Sequence, residues 1–337
     1  MAIDTIAHVE HDRVTNTVSN DYPGYHNSDE DFSWKIDTFK SKFDIKISYI
    51  TERTANFDLI NVDTSIANAF RRIMISEVPA VAPEQVYIFN NTSVIQDEVL
   101  AQRIGLIPLK IDPDLLSWVD SSVDERDRFT DANTVVMTLD IACTRNPQAP
   151  KGSTDPNELY RNSNVYASDL KFEPQGNQLE TFKNPVAPAD PNILLAKLRP
   201  GQEISLRAHC VLGIGADHAK FSPVATASYR LLPVIEITQS IRGQDAKKFQ
   251  KCFSTGVIGI NDDGEAFVQD ARRDTVSREV LRHEEFEGKV KLGRDRSHFI
   301  FNVESTGAMP PEEIFFKSVR ILRNKAEYLR NCPIGRA

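Results

Sequence analysis

FIFNVESTGAMPPEEIFFKSVRILRNKAEYL, residues 299–329, changes period in its middle, and the change sets the fold class. Phe299, Phe301 and Val303 alternate with Ile300, Asn302 and Glu304, the period of two expected of a strand running up to Ser305. Thr306-Gly307-Ala308-Met309 reads as a turn. Pro310 or Pro311 then suits a first helical turn, where a missing N–H costs nothing. Glu312 and Glu313 stand near the helix start, and Arg320, Arg323, Lys325 and Arg330 toward its end, the order that complements the helix macrodipole. Phe315, Val319, Leu322, Ala326 and Leu329 recur at spacings of four, three, four, three. That narrow stripe, about 3.5 residues per repeat, favours packing along a partner helix over burial in a broader core-facing stripe.

The same order of strand then helix occurs near the start. Phe43, Ile45, Ile47 and Tyr49 alternate with Asp44, Lys46 and Ser48, which predicts a half-buried strand. Phe57 and Leu59 flank Asp58 in a second strand. Asp63 or Thr64 is placed as an N-cap, and Ile66, Phe70, Ile73 and Met74 follow at helical spacing until Pro79 stops the pattern. From residue 84 to 232 the texture is mostly β. Val135, Met137, Leu139 and Ile141 alternate with other residues, as do Ile204, Leu206, Ala208 and Cys210. Long Pro-rich and polar connections lie between, at 144–168 and 174–191; stretches of that length usually make contacts with something. Arg199-Pro200-Gly201-Gln202 predicts a type II turn feeding a strand. Residues 1–40 read as a polar arm, with regular structure starting near Phe43, and residues 332–337 as a short tail.

Composition narrows the function classes. The 337 residues are 40% hydrophobic and 26% charged, with a formal net charge of -8. A domain that grips nucleic acid unaided is usually basic, so direct sequence-specific binding is not expected. Cys143, Cys210, Cys252 and Cys332 are scattered, which argues against a local zinc site and suits a reducing compartment. No apolar run reaches about eighteen residues and no leader is evident, so we expect a soluble, intracellular chain without membrane attachment.

Three apparent motifs carry little. Gly213-Ile214-Gly215-Ala216-Asp217 lacks the third glycine of a dinucleotide cradle, and Phe221-Ser222-Pro223 follows where a helix start is needed. His209 and Cys210 are adjacent on a strand and point to opposite faces, so they cannot chelate one ion. Between Arg272 and Arg296 basic and acidic residues nearly cancel, as on a solvated face. No GxSxG, HExxH or P-loop occurs, so no catalytic residue, cofactor or metal ligand is assigned.

Four segments carry a family resemblance: NAFRRIMISEVPAVA (68–82), RIGLIPL (103–109), KFSPVATASYRLLP (220–233) and the segment 299–329. Each is similar to a motif of the RNA polymerase alpha family, and they stand in the family's order. The resemblance implies an α+β fold. A discontinuous dimerisation domain, a sheet with two long helices, would span 41–83 and 233–331, with a mostly β inserted domain at 84–232. It further implies a non-catalytic assembly subunit that pairs with a smaller alpha-like subunit. Phe70, Ile73, Met74, Phe315, Val319, Leu322, Ala326 and Leu329 would form that interface. Arg71 and Arg72 match the family's Arg pair and would dock the second-largest polymerase subunit, with the largest following. The insert lacks the clustered cysteines of polymerase II and many archaeal members. That departure, with Asn90 to Val94 and the long N-terminal arm, resembles the branch shared by polymerases I and III, which make ribosomal, 5S and transfer RNA. Such a subunit would be nuclear, including the nucleolus. The rival readings are a polymerase II or archaeal subunit, an independent DNA-binding protein, and an enzyme in its own right.

Overall fold

The computed structural model describes residues 6–16, 36–120, 122–124, 128–184 and 186–332. Two compact units divide the chain, each assembled from three separated segments: 1–49, 56–68 and 228–302 in the first, and 50–55, 69–227 and 303–337 in the second. The unit boundaries fall inside continuous strands and one helix. Most of the arm's polar run and nearly all of the C-terminal tail lie outside the described residues.

In the first unit, β1 (Ile6–Val9) and β2 (Val14–Thr15) form an antiparallel pair. After α1 (Ile36–Lys42) come β3 (Asp44–Ile50) and β4 (Thr54–Ile60), then α2 (Thr64–Ser76). Regular structure therefore starts well before Phe43. β1 lies antiparallel to residues 292–295 of the long strand that ends at Ser305, so part of the expected arm is a strand of this chain's own sheet. Asp63 accepts from the Ser65 amide at 2.7 Å and caps α2, as its side chain suits it to do.

The first unit's core gathers Ile235, Phe249, Val257, Phe286 and Leu292. β4 contributes Phe57 and Leu59, and the ring of Phe57 stacks on Phe301 at 5.3 Å. Asp58, expected on the polar face of β4, is buried. Arg272 and His298 reach its carboxylate at 2.8 and 2.9 Å. Burial pushes the Asp58 carboxyl up, but the hydrogen bonds and charge of Arg272 and His298 outweigh this and hold it below its ordinary value. Arg272 is thus no member of a solvated face, because a buried carboxylate needs a paired donor.

β3 departs from its expected half-burial. Every residue in it is exposed, Ile47 to 63%. It ends the strand order of its sheet, and its apolar side chains Ile45, Ile47, Tyr49 and Ile50 keep 42–63% of their surface exposed. Alternation specifies two faces and leaves open what lies against either.

In the second unit, β5 (Ala80–Asn91), β6 (Thr134–Ala142), β7 (Lys171–Glu173) and β8 (Glu203–Gly213) make a four-stranded sheet in the order β7-β6-β8-β5, antiparallel throughout. Val135, Met137 and Leu139 of β6 and Ile204, Leu206, Ala208 and Cys210 of β8 are buried on one face. With them pack Leu100 and Ile104 of α3 (Asp97–Gly105), then Ile107 and Leu109. The expected type II turn is present. Gln202 N–H donates to Arg199 O at 2.9 Å, and Gly201 has φ +89°, which a side chain would strain. The long connections carry short ladders, such as Thr144–Arg145 with Tyr160–Arg161 and Asn164–Tyr166 with Leu194–Lys197.

β9 (Val224–Ile237), α4 (Gly243–Lys251), β10 (Val290–Ser305) and α5 (Pro311–Asn331) complete the main elements. The six-stranded sheet runs β2-β1-β10-β4-β3, with β9 also on β10. β10 begins nine residues before the expected start at Phe299, because Lys291, Arg294, Asp295 and Arg296 obscure its apolar period.

Candidate functional site

The residues singled out by sequence meet on α2 and α5. The turn ahead of α5 is fixed locally: Ser305 Oγ donates to Met309 O at 2.6 Å, and the Gly307 amide donates to Ser305 Oγ. Thr306 is tied through its amide and hydroxyl to Pro223 O, so the 220–233 motif braces this turn. Pro311 then occupies the first helical position. In the 103–109 motif Arg103 donates to Leu194 O and Leu195 O while Ile104, Ile107 and Leu109 enter the core. Lys220 donates to Pro83 O at 2.9 Å and pairs with Glu84.

α2 and α5 are in contact through Phe70 and Phe315, edge to face with centroids 5.4 Å apart. Farther along, Lys325 on α5 pairs with Glu77 just past α2 at 2.8 Å. Ile73 and Met74 are enclosed, with 3% and 0% exposure, and leave almost no surface of their own for a partner. Phe70, Phe315 and Leu322 are half-buried. Val319, Ala326 and Leu329 are exposed, Leu329 to 66%. Arg71 is half-buried and already engaged within the chain. Arg72 is exposed, and its side chain makes no hydrogen bond or ion pair among the described residues.

Two features of this region escaped the sequence reading. Lys317, buried on α5, sits 2.7 Å from Asp114, 3.5 Å from Glu313 and 3.9 Å from Asp112. It clamps the first half of α5 to the turn at Pro113–Leu115. Its position off the apolar stripe was the available signal, but a lysine in a helix ordinarily reads as solvated. The second is Gly215. A Cβ there would lie 2.2 Å from Ile75 O, and the Ala216 amide donates to Ser76 O at 2.9 Å. The Gly-Ile-Gly segment closes the C-terminus of α2, where carbonyls lack intrahelical partners.

Among the described residues no group of three or more His, Cys, Asp or Glu side chains is arranged to hold a metal. Cys143 and Cys210 belong to one hydrophobic core and Cys252 to another, and burial pushes each thiol up. His209 lies between the rings of Tyr87 and Phe129, on the face of β8 opposite Cys210.

Residues 56–326 match the RNA polymerase Rpb3/Rpb11 dimerisation domain. The chain belongs to this family. Among its Rpb3/Rpb11-family relatives is the RPAC1 subunit of DNA-directed RNA polymerases I and III of Saccharomyces cerevisiae, 70% identical over 98% of each chain. The human RPAC1 subunit is 45% identical over 93% of this chain and 90% of its own. The polymerase II subunit rpb3 of Dictyostelium discoideum stands at 33%, over 84% of this chain and 92% of its own. The mixed sheet-and-helix architecture is the α+β, alpha-type fold that the resemblance implied, and identity favours the polymerase I and III branch over polymerase II.

Proposed function

We propose that this chain is the larger alpha-like subunit shared by DNA-directed RNA polymerases I and III. It is a non-catalytic assembly protein that pairs with the smaller alpha-like subunit. The observation that carries this reading is the open apolar stripe on α5, Val319, Leu322, Ala326 and Leu329, in a chain so similar along its length to RPAC1. A soluble chain leaves such a stripe uncovered when another chain covers it. Phe70 and Phe315 meet beside this stripe, while Ile73 and Met74 are buried within this chain. The heterodimer is the platform for the second-largest and then the largest subunit, in ribosomal, 5S and transfer RNA synthesis. The working location is the nucleus, including the nucleolus. The discontinuous dimerisation domain at 41–83 and 233–331, with its insert at 84–232, belongs to the same proposal.

Arg72, exposed and unpaired among the described residues, is the better placed of the Arg pair to dock the second-largest subunit. Planar guanidinium groups suit fixed carboxylates and carbonyls at interfaces.

The test is co-expression with the smaller alpha-like subunit, followed by identification of the co-purifying large subunits. Leu322→Asp places a carboxylate in the seam at a cost on the order of several kcal/mol, and the small partner should be lost from a folded chain. Arg71→Glu and Arg72→Glu should keep the small partner and weaken capture of the second-largest subunit. Normal heterodimer yield from Leu322→Asp, or polymerase II subunits in the purified complex, would overturn the assignment.

A further inference from the structure

The flanks of the open stripe carry information that the stripe does not. With about 3.6 residues per turn, Arg323 and Arg330 line one side of Val319, Leu322, Ala326 and Leu329, and Lys325 lines the other. From Val319 to Asn331 there are four cations, Arg320, Arg323, Lys325 and Arg330, against the single carboxylate of Glu327, a net +3 in a chain of net charge -8. The basic surface is therefore local. Counterions reduce it without cancelling it. Glu327 pairs with Arg323 at 2.9 Å, Glu77 with Lys325 at 2.8 Å and Asp114 with Arg320 at 3.6 Å, but all three cationic side chains stay more than half exposed. Arg330 is exposed and pairs with no carboxylate among the described residues.

We propose that α5 chooses its partner by these flanks: the stripe accepts a helix whose own apolar stripe is bordered by Asp or Glu, and rejects a second copy of this chain. The proposal rests on the assembly reading above and adds to it the chemistry of the partner. Two copies of α5 can meet side by side in two ways. An antiparallel pair sets each flank against itself, and a parallel pair sets one flank against the other. The Arg323–Arg330 flank keeps a surplus cation and Lys325 stays more than half exposed beside its Glu77 pair, so either arrangement brings cation to cation, most strongly where the Arg flank meets itself. Closing the apolar stripe would then desolvate like charges beside it, and like-charge contact is an effective way to exclude a wrong partner. Carboxylates on a partner helix turn the same geometry into attraction. The apolar residues supply adhesion and the flanks supply selection, as flanking charges do in paired helices generally.

Opposite salt dependences follow. Sodium chloride screens repulsion in a self-pair and attraction in a mixed pair alike, the screening length falling to about 3 Å near 1 M. Full-length chains are compared by sedimentation equilibrium: the wild type, Arg323→Gln with Lys325→Gln and Arg330→Gln, and the same three positions changed to Glu. The wild-type chain is expected to self-associate weakly, and more strongly as salt rises. The Gln variant should self-associate at least about tenfold more tightly than wild type, and adding Leu329→Asp should abolish that. The Glu variant should stay monomeric alone yet form a 1:1 pair with wild type that weakens as salt rises. A Gln variant no tighter than wild type together with no mixed pair overturns the proposal, as does association that survives Leu329→Asp. If the salt-sensitive mixed pair forms but the wild-type chain fails to capture the smaller alpha-like subunit, the charge selection stands and the assembly reading falls.

Discussion

The two halves of α5 have one sequence style and opposite surroundings. In the first half Ile314 and Ser318 are fully enclosed, and even a lysine, Lys317, is buried among Asp112, Asp114 and Glu313. In the second half Val319, Ala326 and Leu329 are exposed although they continue the same apolar period. Tyr328 is exposed as well, and in the first half Phe316, off the enclosed face, is too. The difference teaches that an amphipathic period reports a face needing cover and says nothing of whose atoms provide it. The Ile314–Lys317–Ser318 face of the first half is covered by this chain, and its contacts stabilise the free chain. On the function proposed above, the second half contributes to an assembly and should be nearly silent in the chain alone.

The sharpest way to break this contrast is Ile314→Ala. Ile314 has no exposed surface, so the lost burial and the cavity should cost about 2–5 kcal/mol, read as a fall in the melting temperature of the isolated chain. A change within experimental error would mean that the first half of α5 is not anchored as described. Lys317→Met comes next. It removes the cation from three carboxylates that remain half-exposed, so water takes up part of the loss and the cost should be about 1–3 kcal/mol. A chain stabilised by Met would show that the lysine serves something other than this clamp. The smallest effect is expected from Leu329→Asp. On the isolated chain it should change stability by less than about 0.5 kcal/mol, as for other exposed positions, while capture of the smaller alpha-like subunit falls sharply. A large loss in the isolated chain would place Leu329 in this chain's own core and erase the contrast.

Local rules carried a large part of the reading because the interactions that obey them are local. The type II turn at Arg199–Gln202 needed only Pro and Gly in order, and the α2 cap needed only Asp63 two residues before an N–H to satisfy. Pro311 at the start of α5 and the alternation of Leu206, Ala208 and Cys210 in β8 are of the same kind. The α5 stripe was legible for the same reason: the spacing of Val319, Leu322, Ala326 and Leu329 is a property of one helix.

Side chains brought together from distant positions were not legible. Asp58 and Arg272 are 214 residues apart, and nothing near either announces that one will bury the other. Lys317 reads as a solvated helix lysine until Asp112 and Asp114 arrive from about 200 positions earlier in the chain. Gly215 reads as a fragment of a phosphate loop until the carbonyl of Ile75 leaves no room for a Cβ. The exposed β3 is the converse case, since alternation at Ile45, Ile47 and Tyr49 promised a buried face that the described residues of this chain cover only in part. By itself, then, the sequence determined the type of the main segments it singled out, where α2 and α5 begin and which side of each is apolar, because torsional preference, capping and period act within a few residues. Only the tertiary structure decided which apolar faces this chain covers and which charges it buries, because burial is settled by long-range packing in three dimensions.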